Sequence, residues 1–317
     1  MRIVFFGTGD IALPSFRYLC SSSKFEVVAV VTQPDRPAGR KLELQSSQIK
    51  QLALSENIPV LQPERLRSTE GVAALKKFPA DVFVVMAYGQ ILPRSVLEMP
   101  RLACLNLHAS LLPKHRGASP IHAALLAGDQ ETGITIMYMA EGLDTGDCIL
   151  QQRLRIRRRE TVGILHDRLA ELAPQALDEA LEIFINNPEK IPRTIQNEAL
   201  ASYAPKLDRE SARIDWTRPA REVERLIRGM NPWPGAWTEA GGSGNAATSA
   251  LKIRSAIISK KLTGPAGQIL PPYHDMITVA CGEGALLLGQ VQLPGRRWMH
   301  SSELLRGHLI KPGMSFY

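Results

Sequence analysis

At 317 residues the chain has room for about two domains of roughly 150 residues each, and for a sizeable buried core. Hydrophobic residues make up 44% and charged residues 22%, which excludes wholesale disorder. No apolar run approaches the roughly 18 residues of a membrane span, and the apolar stretch in Met1–Gly7 is too short for a secretion signal. The formal charge of +7 is uneven: +3 over residues 1–100, −2 over 101–200 and +6 over 201–317. A near-neutral middle and a basic final third suggest that one part does chemistry while another holds a polyanion. A basic protein with no such partner is the plain alternative. The four cysteines, Cys20, Cys104, Cys148 and Cys281, lie far apart without metal-ligand spacing. They read as reduced thiols of a cytoplasmic protein.

In chain order, Arg2–Phe6 predicts a strand and Ile11–Cys20 a helix. Val27–Val31 predicts the next strand and Ser47–Ser55 a helix, with further buried strands at Val82–Met86, Cys104–Leu107 and Ile134–Met139. Continuous β-branched runs between helices predict an α/β, Rossmann-like and mostly parallel sheet. Leu150, Leu154 and Ile156 alternate with Gln151, Arg153 and Arg155, as on a half-exposed edge strand. A long helix fits Val162–Ile185. Residues 188–207 contain three prolines and little periodicity and read as a linker. Beyond them come a short basic helix, Arg221–Arg228, and several brief strands among Gly and Pro turns, which predict a smaller β-barrel of the oligonucleotide-binding (OB-like) sort. The expected organisation is a catalytic domain over 1–187, a linker over 188–207 and an OB-like domain over 208–317.

Gly7-Thr8-Gly9-Asp10-Ile11-Ala12 fits G-x-G-x-x-A between a strand and a helix, so an NAD(P)-dependent oxidoreductase is an alternative. That site also needs an acidic residue closing the second strand, and Val31 is followed by Thr32-Gln33-Pro34 instead. The glycines then serve a tight turn and close helix–sheet packing.

The most informative stretch is Cys104-Leu105-Asn106-Leu107-His108-Ala109-Ser110-Leu111-Leu112-Pro113, followed by Gly142-Leu143-Asp144-Thr145-Gly146-Asp147. Two apart on a strand, Asn106 and His108 share a face. Asp144 comes 36 residues after His108, far enough for a helix and a return strand to bring the carboxylate alongside. Singly, each residue is weak: a lone strand His is commonly structural, and Asp144 in a glycine-bracketed turn could be a turn former.

With Thr32–Arg40, Ala87–Pro93, Arg116-Gly117, Pro120-Ile121 and Asn231-Pro232-Trp233-Pro234, these motifs make the chain strongly similar to the folate-dependent formyltransferases over nearly its whole length. The resemblance implies a catalytic set of Asn106, His108 and Asp144. It also implies a folate-contacting turn at Ser110, Leu111, Leu112 and Pro113, an apolar segment beside the pterin at Tyr88–Leu92, and 10-formyltetrahydrofolate as formyl donor without a metal. Those residue types suit the chemistry. An α-amino group titrates near pKa ~7.7–8.0, so the site must help to remove a proton. Attack puts negative charge on the formyl oxygen, where an Asn N–H and an imidazolium N–H would each be worth roughly 2.7–4 kcal/mol. Asp144 would favour the charged imidazole and help to carry the proton.

Family members differ in acceptor, and an amino sugar nucleotide remains an alternative. Three features favour initiator methionyl-tRNA: the second basic domain; the loop Pro34–Lys41, whose Arg36, Arg40 and Lys41 resemble the family's tRNA-entering loop; and Arg221, Arg225 and Arg228 at helical spacing, able to track phosphates or simply to form a solvated face. The run Arg153, Arg155, Arg157–Arg159 could lie against RNA or protect an edge strand. Trp233 could stack on bases, although two flanking prolines favour a packed hinge. A monomer without membrane association is expected. A basic RNA-binding module on an inactive scaffold is the remaining alternative, and it would leave Asn106, His108 and Asp144 without a role.

Overall fold

The computed structural model describes residues 1–38, 43–240, 249–307 and 309–317. It divides into two compact units, Met1–Pro120 with Glu131–Arg155 and His166–Ala204, and Ile121–Gln130 with Ile156–Leu165 and Pro205–Tyr317.

The first unit is built on a seven-stranded sheet: β1 (Arg2–Gly7), β2 (Glu26–Val31), β3 (Val60–Leu61), β4 (Val82–Met86), β5 (Ala103–His108), β6 (Glu131–Tyr138) and β7 (Cys148–Arg155). In sheet order these run β7-β6-β5-β4-β1-β2-β3. The pairs among β1 to β5 are parallel, whereas β5–β6 and β6–β7 are antiparallel. The residues of β4 are all buried, as its unbroken Val82-Phe83-Val84-Val85-Met86 run requires of a strand covered on both faces. At the sheet edge, β7 exposes Arg153 and Arg155, in line with its alternating sequence. The helix over Gln48–Ser55 starts where Ser47 Oγ accepts the Lys50 N–H at 3.1 Å, an N-cap that satisfies one of the open amides of the first turn. Among the described residues, no helix is long and apolar enough to cross a membrane.

The G-x-G turn after β1 is spent inside the protein. Thr8 and Gly9 both donate their backbone N–H to the Ala87 carbonyl at 3.2 Å. A Cβ on Gly9 would lie 3.1 Å from that of Ala87. The amides that a dinucleotide's pyrophosphate would take instead hold the backbone after β4.

The second unit carries two four-stranded antiparallel sheets. One orders Trp237–Ala240, Ser249–Ile253, Gln290–Gln292 and Met299–His300; the other orders Ala256–Ser259, Ala285–Leu288, Met276–Ala280 and Ile269–Tyr273. Their core packs Leu251, Ile253, Ile277, Val279, Leu286 and Leu288 with Val223 and Ile227 of the helix Ala220–Gly229. A mostly parallel α/β unit followed by a smaller antiparallel β unit is the fold class expected from the sequence, and the small sheets are compatible with an OB-like arrangement.

Candidate active site

The carboxyl end of β5 supplies the central side chains. Period-two geometry puts Cys104, Asn106 and His108 on one face; Cys104 and His108 are buried and Asn106 is half-buried. Asp144 comes from the loop after β6, with its backbone at φ 52°. This left-handed conformation suits Asp better than most residues. The loop turns tightly because a Cβ on Gly146 would lie 1.8 Å from the Tyr138 carbonyl oxygen. The three residues linked by the sequence therefore converge. Asn106 Nδ2 lies 3.4 Å from Asp144 Oδ1, His108 Nδ1 lies 3.6 Å from Asp144 Oδ2, and the Gly117 N–H donates to Asp144 Oδ2 at 2.8 Å.

The state of His108 differs from the expected imidazolium. Its side chain is 6% exposed. Burial pushes its pKa below the ordinary 6.5, while the neighbouring Asp144 charge pulls the other way. Desolvation prevails, so the ring rests neutral. Its Nε2–H donates to the His115 carbonyl at 2.9 Å, which fixes the tautomer and leaves Nδ1 as a proton acceptor facing Asp144.

Supporting residues come from the 188–207 segment, whose prolines and lack of period predict a linker. Gln196 Nε2 donates to the carbonyls of Asp144 and Gly146 at 2.8 and 2.7 Å. Gln196 Oε1 in turn accepts from Arg116 Nε and Nη2 at 3.0 and 2.9 Å. Arg116 is fully buried and forks onto Glu198 at 2.9 and 2.7 Å. Tyr203–Ala204 pairs in parallel with Arg116–Gly117. The motif Arg116-Gly117 was visible in the sequence, but nothing there tied it to Gln196.

The Ser110–Pro113 turn is also braced from within. Ser110 Oγ donates to the Lys114 carbonyl at 2.6 Å, and Thr135 Oγ1 donates to the Ser110 carbonyl at 2.6 Å. Gln151 Nε2 holds the Leu112 carbonyl at 2.7 Å. Leu112 packs with Met137 and Cys148, so Leu111 and Pro113 are the half-buried members of the turn. In the Tyr88–Leu92 segment, Tyr88 and Leu92 belong to the core, whereas Ile91 is 85% exposed. Leu143, beside Asp144, is also exposed.

Arg36 is exposed on a short hairpin, Arg36–Ala38 against Glu43–Gln45. Arg40 and Lys41 lie outside the described residues. The helix arginines divide: Arg228 is committed to Glu224 at 2.7 Å and to the Glu160 carbonyl at 2.7 Å, Arg225 reaches the Ala127 carbonyl at 3.4 Å, and Arg221 is exposed. Internal bonding thus occupies two of the three groups expected to track phosphates.

A mostly parallel sheet that gathers an amide, a neutral imidazole and, from a loop, a carboxylate where β5 ends defines a class, and the sequence matches it directly. Residues 1–181 match the family described as Formyl transferase, and residues 206–309 match Formyl transferase, C-terminal domain. The chain belongs to the formyl transferase family. Among its relatives is the methionyl-tRNA formyltransferase of Pseudomonas fluorescens, 47% identical over 311 residues, covering 98% of this chain and 94% of the relative. That of Methylacidiphilum infernorum is 44% identical over 314 residues, covering 99% and 97%. Among solved structures, the N-formyltransferase of Helicobacter canadensis, in complex with folinic acid and dTDP-3-aminofucose, aligns with a TM-score of 0.65 at 19% identity, covering 92% of this chain and 99% of that one. HypX of Aquifex aeolicus, in complex with tetrahydrofolic acid, gives 0.61 at 18% identity; the alignment covers 100% of this chain but about half (51%) of HypX. These structural likenesses speak for the fold alone.

Proposed function

We propose that this protein transfers the formyl group of 10-formyltetrahydrofolate to the α-amino group of initiator methionyl-tRNA, in the cytoplasm and as a monomer. The full-length similarity to methionyl-tRNA formyltransferases carries the choice of acceptor. The convergence of Asn106, His108 and Asp144 supports the chemistry. The Ser110–Pro113 turn would take the folate, with Ile91 and Leu143 offering apolar surface to its pterin. Arg36, Arg40 and Lys41 would meet the tRNA. In this reading residues 1–187 carry catalysis, 188–207 connect, and 208–317 hold the nucleic acid.

Among the described residues Asn106 makes only a long bond to Asp144, which leaves amide hydrogens for the negative charge that develops on the formyl oxygen. His108 Nδ1 takes the proton released as the amine nitrogen bonds to the formyl carbon, and Asp144 Oδ2 at 3.6 Å stabilises the imidazolium so formed. The imidazolium then returns that proton to N10 as the carbon–N10 bond breaks. Protons balance without a metal or a covalent protein intermediate. Gln196, itself held by Arg116, and the Gly117 N–H hold Asp144 in place, as preorganisation requires.

The test is a competition in one vessel, with 10-formyltetrahydrofolate, methionyl-tRNA and an amino sugar nucleotide. Formyl on methionine alone supports this reading. Formyl on the sugar amine alone replaces it with the second acceptor class.

A further inference from the structure

We infer that Arg157, Arg158 and Arg159, together with the exposed indole of Trp233, form a second RNA-holding site that grips phosphates and stacks on an unpaired base. The inference rests on the tRNA reading above and deepens it.

The sequence presents Arg153, Arg155 and Arg157–Arg159 as one basic run, but the structure separates them. Arg153 pairs with Glu131 on the neighbouring strand, as edge protection requires. Arg157, Arg158 and Arg159 lie beyond the strand, all exposed, and among the described residues none has a carboxylate partner. Their backbone is nevertheless fixed. Glu160, 3% exposed, accepts the Arg157 N–H on Oε2 at 2.6 Å and donates its own N–H to the Arg157 carbonyl at 3.1 Å. The Glu160 carbonyl accepts from Arg228 Nη1 at 2.7 Å. Arg159 sits at φ 66°, a conformation that only a well-determined surrounding keeps for such a residue. Three adjacent guanidinium groups on an anchored turn repel one another, and a polyanion relieves that repulsion.

Trp233 lies on the segment that packs against the residues following this turn. Gly163 donates its N–H to the Asn231 carbonyl at 3.1 Å, and a Cβ on Gly163 would lie 2.8 Å from Pro232 Cδ. The sequence favoured a packed hinge here. Pro232 does pack, but the Trp233 indole is 60% exposed. A rigid backbone that presents an aromatic face, on a segment packed against the residues that follow the arginine turn, is what base stacking uses. Charge and a single indole favour RNA over a lipid surface, which calls for a broad apolar helix face.

The experiment uses the full chain and uncharged initiator tRNA, with formylation of methionyl-tRNA measured in parallel. Changing Arg157, Arg158 and Arg159 together to Ala should weaken tRNA binding at least about tenfold and make the log–log salt slope shallower by roughly 2–3, near 0.9 per phosphate contact. Trp233→Ala should weaken binding roughly tenfold with the slope unchanged, and tRNA should shield Trp233 from acrylamide quenching. Arg153→Ala should leave the slope as it was. If the triple variant fails to fold by circular dichroism, Arg158→Ala alone should show a slope change near 0.9. Unchanged affinity and slope, or an indole that tRNA leaves open to quencher, overturn the inference; so does loss of binding to anionic vesicles with tRNA binding intact. In each of those cases normal formylation by the wild type leaves the acceptor assignment standing, whereas no formylation by the wild type removes that assignment instead.

Discussion

Gln196 and Asp144, 52 residues apart in the chain, meet where one side-chain amide donates to the Asp144 carbonyl at 2.8 Å. The same amide group accepts from the fully buried Arg116, so one glutamine joins a buried charge to the loop that carries the site's carboxylate. Gln196→Ala removes both ends of that link. It should lower kcat at least about tenfold, because a small misplacement of Asp144 suffices, while KM for the folate changes little. Loss of a partner for buried Arg116 should destabilise the fold by about 1–3 kcal/mol. Steady-state kinetics and a thermal melt check both; a normal kcat would leave Gln196 a purely structural brace.

His108 should titrate below 6.5 in the free enzyme, because its burial outweighs the opposing pull of Asp144. Its unfolded form binds the proton more readily, so this group adds stability as pH rises from its depressed pKa through about 6.5. Asp144→Asn removes the upward pull and should move the titration lower still, while slowing transfer. Nuclear magnetic resonance of the ring reads the titration directly. A midpoint above 6.5 in the wild type would contradict the neutral resting state. His108→Ala should lower kcat by about 10²–10⁴-fold, with folate affinity far less affected.

Ile91 exposes most of its side chain on a loop whose neighbours Tyr88 and Leu92 are core residues. Such exposure is explained if a ligand ring covers it. Ile91→Ser should raise KM for the folate donor several-fold and leave kcat at saturation nearly unchanged. A fall in kcat with constant KM would remove Ile91 from the binding surface.

Elements with strong local periodicity were legible in the sequence. β4 was legible to the residue, and β5 within one residue at each end. The convergence of Asn106, His108 and Asp144 was legible through motif spacing, whereas their catalytic role is what the family resemblance implies. Arg116, Gln196 and Glu198 as a unit were not legible, because their contacts span about eighty residues and the 188–207 stretch has no period to betray a fold. Two-residue pairings such as Tyr203–Ala204 with Arg116–Gly117 have no signature of their own. The charge state of His108 depends on burial, which motif spacing does not encode. The exposure of Trp233 was equally hidden, since prolines announce a rigid backbone without saying where the side chain points.

A second titrating pair bears on stability alone. His166 Nε2 lies 3.2 Å from Asp10 Oδ1; the pairing holds His166 above its ordinary 6.5 and Asp10 below 3.8. The raised His166 contributes stability that is fully present below about pH 6.5 and fades as pH rises through its folded pKa. The lowered Asp10 contributes above pH 3.8 and fades as pH falls. Melting curves of the wild type and His166→Asn should therefore differ most near pH 5–6 and converge at alkaline pH. Asp10 is largely exposed, so the gap should be small. A gap that grows with pH would contradict the pairing.

In the proposed function, formyl passes directly from folate to amine at Asn106, His108 and Asp144. A rapid-quench single turnover with 10-formyltetrahydrofolate labelled in the formyl carbon and methionyl-tRNA tests it most directly. Label should appear on the methionine nitrogen in step with tetrahydrofolate release, the protein should never carry it, and His108→Ala should slow both events together. Label trapped on the protein, or transfer to methionyl-tRNA at an undiminished rate in His108→Ala, would contradict it.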